Sequence, residues 1–256
     1  MTTLSTFKTM KLSATASKAV ISAALLCLST SSYASFVESF DAATLPAGWV
    51  TKNLSTRNSS GNPWSVGKGI LDDAEEIVVG PHSGDGMALV NYTSVGSGIG
   101  TISNWLISPV ITGLRNGDTF SFYTTTVPDS PYPDRLEFRM STGSGTSVGS
   151  STASVGTFTT ALLSINPGVD VGGYPEDWTK YTVTLSGLSG PIDGRVAFRY
   201  FVPNGGPSGD NSNIIGLDDF SYVSAPVPEP ASVTMMLAGV GVLAGLHRRR
   251  KAQRAA

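Results

Sequence analysis

TFSFYTTT, residues Thr119 to Thr126, sets Phe120 and Phe122 two positions apart with Ser121 and Tyr123 between and beside them. A spacing of two sends alternate side chains to opposite faces of a strand, so this stretch reads as a β-strand with one apolar face. Tyr181-Thr182-Val183-Thr184-Leu185 repeats the pattern. From Phe36 to Val223 no long segment carries the 3.6-residue helical period, and short β-branched and aromatic runs recur instead between turn-forming clusters. The predicted strands are 36–40, 87–92, 105–107, 119–126, 135–141, 162–165, 178–185, 195–201 and 214–223, separated by Gly-Pro, Asn-Gly, Asp-Gly and Ser-Gly punctuation. Many short strands without a helical period predict an all-β chain, a β-sandwich of jelly-roll type, with an immunoglobulin-like sandwich as the other arrangement. Gly143 to Thr157, GSGTSVGSSTASVGT, is of low complexity and is expected to be a flexible loop or hairpin tip.

The two ends of the chain have a different composition. Residues 1–34 carry Lys8, Lys11 and Lys18, then an apolar stretch from Ala19 to Leu28, then small polar residues. That order is a secretory signal peptide, expected to be helical and to be cut after Ala34. Cys27 would mark a lipoprotein only if a small residue preceded it, and Leu26 does. Residues 35–226 form the exported domain, which has no cysteine once the leader is gone, so neither a disulfide nor a thiolate site is available to it. Of the chain's 17 basic residues, three lie in the leader and five in the tail, and of its 19 acidic residues only Glu229 lies outside the domain. The domain is left with a charge of about −9, which excludes the basic footprint that nucleic acid requires.

Residues 227–256 read VPEPASVTMMLAGVGVLAGLHRRRKAQRAA. The apolar run from Ala231 to Leu246 falls short of the ~20 residues that comfortably span hydrocarbon, and Arg248, Arg249 and Arg250 then act as a stop that stays cytoplasmic. This segment resembles the PEP-CTERM sorting signal of Gram-negative bacteria. The resemblance implies that Pro228, Glu229 and Pro230 are recognised by an exosortase-type processing enzyme. It also implies transient inner-membrane insertion through a single C-terminal hydrophobic helix, and delivery to the cell surface or the extracellular space. A plain single-span tail anchor is the other reading.

Within the domain, ESFDAATLPAGWV, TISNWLISPVI, PDRLEFRMSTG and NIIGLDDFSYV occur in that order. Together they resemble the choice-of-anchor J family, related to cleaved-adhesin and MAM-like jelly rolls, whose members are surface or secreted modules generally without catalysis. The resemblance implies a structural Ca²⁺ joining the first and last strands. By motif, the ligands would be Glu38 and Asp41 of ESFD with Asp218 or Asp219 of GLDDF. An acidic, exported domain suits such a hard cation. Asp72, Asp73, Glu75 and Glu76 form a second acidic cluster, read as a charged loop.

No catalytic constellation stands out. Gly145-Thr146-Ser147-Val148-Gly149 matches the G-x-S-x-G nucleophile elbow, but in a Gly/Ser-rich loop instead of the required strand-to-helix turn. His82 is the only histidine of the domain and reads as an exposed turn residue, so a triad would have to use it and a histidine-rich zinc site cannot be assembled. Glu137 alternates with Arg135 and Arg139 and reads as part of a solvated strand face. Trp105 reads as core, whereas Tyr132 in SPYPD and Tyr174 in GGYPED are expected to be exposed and are candidates for glycan contact. Two functional readings follow: a non-catalytic surface or matrix module acting in adhesion or association with extracellular polysaccharide, or a secreted carbohydrate-active enzyme or carbohydrate-binding module on the same sandwich.

Overall fold

A computed structural model describes residues 35–57, 63–72, 74–226 and 231–253. The leader 1–34 and the Pro228-Glu229-Pro230 motif lie outside the described residues. The chain divides into two compact units, and the larger spans Tyr33–Pro226.

That unit is a sandwich of two antiparallel sheets, with strands numbered in chain order. The first sheet runs β12 (Thr179–Thr184), β9 (Thr119–Thr126), β14 (Ile214–Val223), β6 (Met87–Asn91) and β3 (Ser65–Gly67). β1 (Ser35–Glu38) pairs with the second half of β14, where β6 has left that edge free. The second sheet runs β11 (Thr160–Ile165), β10 (Leu136–Ser141), β13 (Ile192–Gly205), β7 (Gly100–Ile107) and β2 (Val50–Asn53), with β8 (Ile111–Leu114) pairing the start of β13. A small hairpin, β4 (Ile70–Leu71) and β5 (Ile77–Val79), completes the β structure of the described residues, and its turn is held by Asp72, whose Oδ1 accepts the N–H groups of Ala74 and Glu76. β9 and β14 have the expected limits. β2, β3 and β8 were not foreseen, because strands of three or four residues are too short to display a period.

Phe120 and Phe122 of β9 and Phe220 of β14 point inward and meet Phe138 of β10 and Phe198 of β13. The Phe122 and Phe198 rings pack edge to face at 4.9 Å, and Phe138 stacks on Phe198 at the same separation. Such pairs contribute roughly 0.5–1.5 kcal/mol each beyond area burial.

The second sheet is buried on both faces, which hides alternation in its sequence. Ile102 and Leu106 of β7 enter the main core, whereas Trp105 and Ile107 join a separate outer core with Val148, Phe158 and Ala197. Val148 and Phe158 come from the loop between β10 and β11. The stretch expected to be a flexible loop is therefore a packed cover, held by Arg139 Nε on the Phe158 carbonyl (2.9 Å) and Arg195 Nε on the Ser144 carbonyl (2.8 Å). A Gly/Ser-rich composition concealed this, because the two apolar anchors are sparse and their partners lie far off in sequence.

Beneath the cover, Glu137 is buried, not solvated as its alternation with arginines suggested. It accepts from Arg135 (2.7 Å), Arg139 (3.2 Å) and Arg199 (3.1 Å). Arg199 also donates to Ser103 Oγ and to the Thr152 carbonyl of the cover, and its guanidinium lies 3.8 Å from the centre of the Phe201 ring. Burial pulls the Arg199 pKa down, and the Glu137 carboxylate opposes that shift.

In the smaller unit, Ala231–Gln253 forms helix α1, with Arg248, Arg249 and Arg250 exposed on it. The transmembrane helix expected here is not found: among the described residues no helix is long and apolar enough to cross a membrane. The apolar run ends at Leu246, and six of its 16 residues are Gly or Ala.

Glu137→Ala leaves three guanidinium groups facing one another under the cover and is expected to destabilise the domain by about 3–5 kcal/mol. Urea denaturation of residues 35–226 measures this, and a change below ~1 kcal/mol would show that the network is solvated after all.

Candidate functional site

The two segments that carry the expected carboxylates lie side by side. Glu38 lies opposite Phe220 in the β1–β14 register, which brings the ESFD and GLDDF segments side by side. In β14 the register to β9 shifts between Asp218 and Ser221, and Asp219 takes a left-handed φ of 47°. This bulge lets two consecutive aspartates address the same loop, PHSGDG, residues 81–86.

Asp218 is fully buried. Its Oδ2 accepts the N–H groups of His82 (2.9 Å) and Ser83 (3.2 Å), and its Oδ1 accepts that of Asp219 (2.7 Å). Burial pushes its pKa up to about 6, the adjacent Asp219 charge adds to the rise, and the amide hydrogen bonds oppose it. Asp219 takes the Ser83 hydroxyl (2.8 Å) and pairs with His82 Nδ1 (2.6 Å). Asp41 grips the other end of the loop: its Oδ1 accepts the N–H groups of Asp85 (2.6 Å) and Gly86 (3.2 Å), and its Oδ2 accepts the Ser39 hydroxyl (2.7 Å). Those bonds, the Ser39 hydroxyl first, hold its pKa below the usual carboxylate value. Gly84 sits so close that an added Cβ would lie 2.1 Å from Asp41 Oδ1, and its φ of +63° is one that glycine tolerates.

His82 is exposed in a bend of the chain, as expected, and is also a fixed part of the corner. Its ring stacks on Tyr123 at 3.6 Å and meets Trp178 edge-on, and the Trp178 indole donates to the Gly80 carbonyl (3.0 Å). It lies on the outer face of the first sheet, whereas Ser147 lies in the cover on the outer face of the second. No Ser-His-Asp triad is assembled from them.

As arranged, the acidic corner does not fit a divalent ion. Among the described residues no three His, Cys, Asp or Glu side chains group closely enough to hold a metal. N–H dipoles of His82, Ser83, Asp85 and Gly86 point at the oxygens a cation would use, and of the eight oxygens of Glu38, Asp41, Asp218 and Asp219 only Glu38 Oε2 accepts no bond from a described residue.

The two candidate tyrosines part company. Tyr174 is buried, with its hydroxyl 2.6 Å from Thr124 Oγ1, and burial raises its pKa well above the usual value. The turn-like sequence around it hid an inward-facing ring. Tyr132 is 47% exposed, as expected. It lines a groove of about 490 Å³ with Tyr92 and residues 206–210, 212 and 213, a wall that showed no motif in the sequence.

The Cleaved Adhesin Domain profile matches residues 33–221. The chain belongs to that family. The PEP-CTERM protein-sorting motif matches residues 226–251, so this cleaved adhesin carries a sorting signal directly after its domain. Among solved structures it is similar to the K3 cleaved adhesin domain of Lys-gingipain from Porphyromonas gingivalis W83, at 21% identity and a TM-score of 0.51, over 76% of this chain and 100% of that one. The K1 domain of the same protein aligns at 22% identity and a TM-score of 0.48, over 75% and 99% of the two chains. The CBM22-1 xylan-binding domain of Paenibacillus barcinonensis Xyn10C aligns at 13% identity and a TM-score of 0.38, over 75% and 95%. No curated protein matches.

Adding millimolar calcium to residues 35–226 is expected to leave the melting temperature unchanged. A rise that Glu38→Ala abolishes would show that the corner reorganises around the ion.

Proposed function

We propose that this cleaved adhesin is a non-catalytic module of the cell surface or extracellular matrix, processed by an exosortase-type enzyme at Pro228-Glu229-Pro230 and associated with extracellular polysaccharide. The observation that carries the reading is the order of the two family matches: the adhesin domain ends at residue 221 and the sorting motif begins at residue 226. An adhesion-type domain joined to a sorting signal has its use outside the cell.

The chemistry of the domain supports the non-catalytic half. A glycosidase needs two carboxylates facing each other across an open groove. Glu137 is buried among three arginines, Asp218 and Asp219 are engaged by loop 81–86, and Asp134 is buried under Tyr200 and Thr126. The carbohydrate-active-enzyme reading therefore finds no acid–base pair at these carboxylates.

In the producing organism, Glu229→Ala is expected to leave the full-length form in the cell fraction, while the unaltered protein appears in shortened form at the surface or in the medium. Identical size and location for both, read by immunoblot, would overturn processing at this motif. Residues 35–226 should also co-sediment with the organism's extracellular polysaccharide without shortening it, and release of oligosaccharides would restore the enzymatic reading.

A further inference from the structure

We infer that the groove between Tyr92, Tyr132 and the 206–213 loop is the polysaccharide-binding site, and that it takes an uncharged glycan chain. The inference rests on the polysaccharide association proposed above and assigns it a place and a ligand class.

One end of the sandwich builds this groove. β6, β9 and β13 all finish there and β14 begins there, since Ile214 lies opposite Asn91, Ile215 opposite Thr126, and Gly100 opposite Gly205. Tyr92 opens a single 3₁₀ turn after β6, and Tyr132 sits in the loop after β9. At about 490 Å³ the groove is in the range of small-ligand sites, against about 270 Å³ for the cavity beside Asp41.

Two large aromatic side chains are exposed here, Tyr92 at 39% and Tyr132 at 47%, in a domain that buries its tryptophans Trp49, Trp64 and Trp105. Tyrosine offers a rigid apolar face, which suits the C–H face of a sugar ring, and loses little side-chain entropy on contact. The hydroxyls of Tyr92, Tyr132 and Ser208 accept or donate no bond among the described residues, so they are available to sugar hydroxyls. Asp210 lines the same wall with one oxygen held by Asn204 (2.9 Å) and the other without a described donor.

The scaffold behind these groups is fixed before any ligand arrives. Buried Asp134 accepts the Asn213 N–H (2.9 Å) and the Tyr200 and Thr126 hydroxyls, and the Pro133 carbonyl accepts the Ser212 N–H (2.9 Å). Ser130 Oγ takes both the Tyr132 N–H (3.2 Å) and Asn213 Nδ2 (2.9 Å), tying the two walls together. Asn204 and Ser212 bracket the loop with φ of 53° and 75°, a strained backbone of the kind found where structure serves binding. Preorganisation of this sort lowers the cost of holding a flexible chain.

Charge selects the ligand class. Among the described residues no lysine or arginine lines the groove, and Arg57, which supports the adjoining turn, spends a guanidinium nitrogen on the Ile99 carbonyl (3.2 Å). Asp210 and the acidic domain repel uronates and sulfates, whereas neutral sugars offer hydroxyls that a carboxylate can accept.

The test is affinity electrophoresis of residues 35–226 through gels containing the organism's extracellular polysaccharide, used native and after carboxyl reduction of its uronates to neutral sugars. Retardation should persist in the reduced polymer and weaken roughly tenfold in both Tyr132→Ala and Tyr92→Ala. Tyr123→Ala, on the outer face of the first sheet, should bind as the unaltered domain does, and an unchanged urea midpoint confirms that the variants fold. Full retardation of both groove variants would overturn this site while leaving polysaccharide association intact. Retardation lost on carboxyl reduction would overturn the uncharged ligand. Absence of retardation in either gel would overturn both the site and the association beneath it.

Discussion

Ring-on-ring packing of Phe120, Phe122, Phe138, Phe198 and Phe220 holds the two sheets together, in a domain with no cysteine to cross-link them. Each ring comes from a central strand of its sheet, so the contact fixes which faces turn inward. Once β9, β14, β10 and β13 are clamped in this way, the outer strands have a register to join. The last strand then has a free lower edge that β1 completes. This is how segments some 180 residues apart, ESFD and GLDDF, become neighbours.

Polar groups are placed by the same frame, and several carboxylates each hold a loop. Glu137 joins the 143–159 cover to the second sheet through Arg139 and Arg199, Asp218 and Asp41 hold the 81–86 loop, and Asp134 holds the loops at the groove end. A buried carboxylate that lost its partners would carry a large desolvation cost, so each acts as a strong constraint on one loop conformation. Part of the acidic excess of the domain thus serves loop anchoring at these three places, and buried Asp118 likewise ties Arg115, Tyr222 and Ala225 together, while exposed carboxylates favour solubility.

Function separates along the chain in a parallel way. The tail is an address and the domain is the part that acts outside the cell, so the chemistry to be explained lies in the loops that the sandwich presents. Corner 81–86 is locked by internal hydrogen bonds, whereas the groove at residues 206–213 keeps aromatic faces and hydroxyls unengaged. That contrast distinguishes a structural loop from one that can accept a ligand.

By itself the sequence determined the fold class and the family, because strand periodicity, turn residues and short ordered motifs are local signals that survive without coordinates. β9 and β14 were legible to the residue, and so was Trp105 as core. Tertiary structure alone decided the rest. Whether Tyr174 faced in or out depended on Thr124 across the sheet, and whether the Gly/Ser-rich stretch packed down depended on Trp105 and Arg139 beneath it. Each of these is a contact between residues distant in sequence, and a pattern with a period of two carries no information about what lies opposite it.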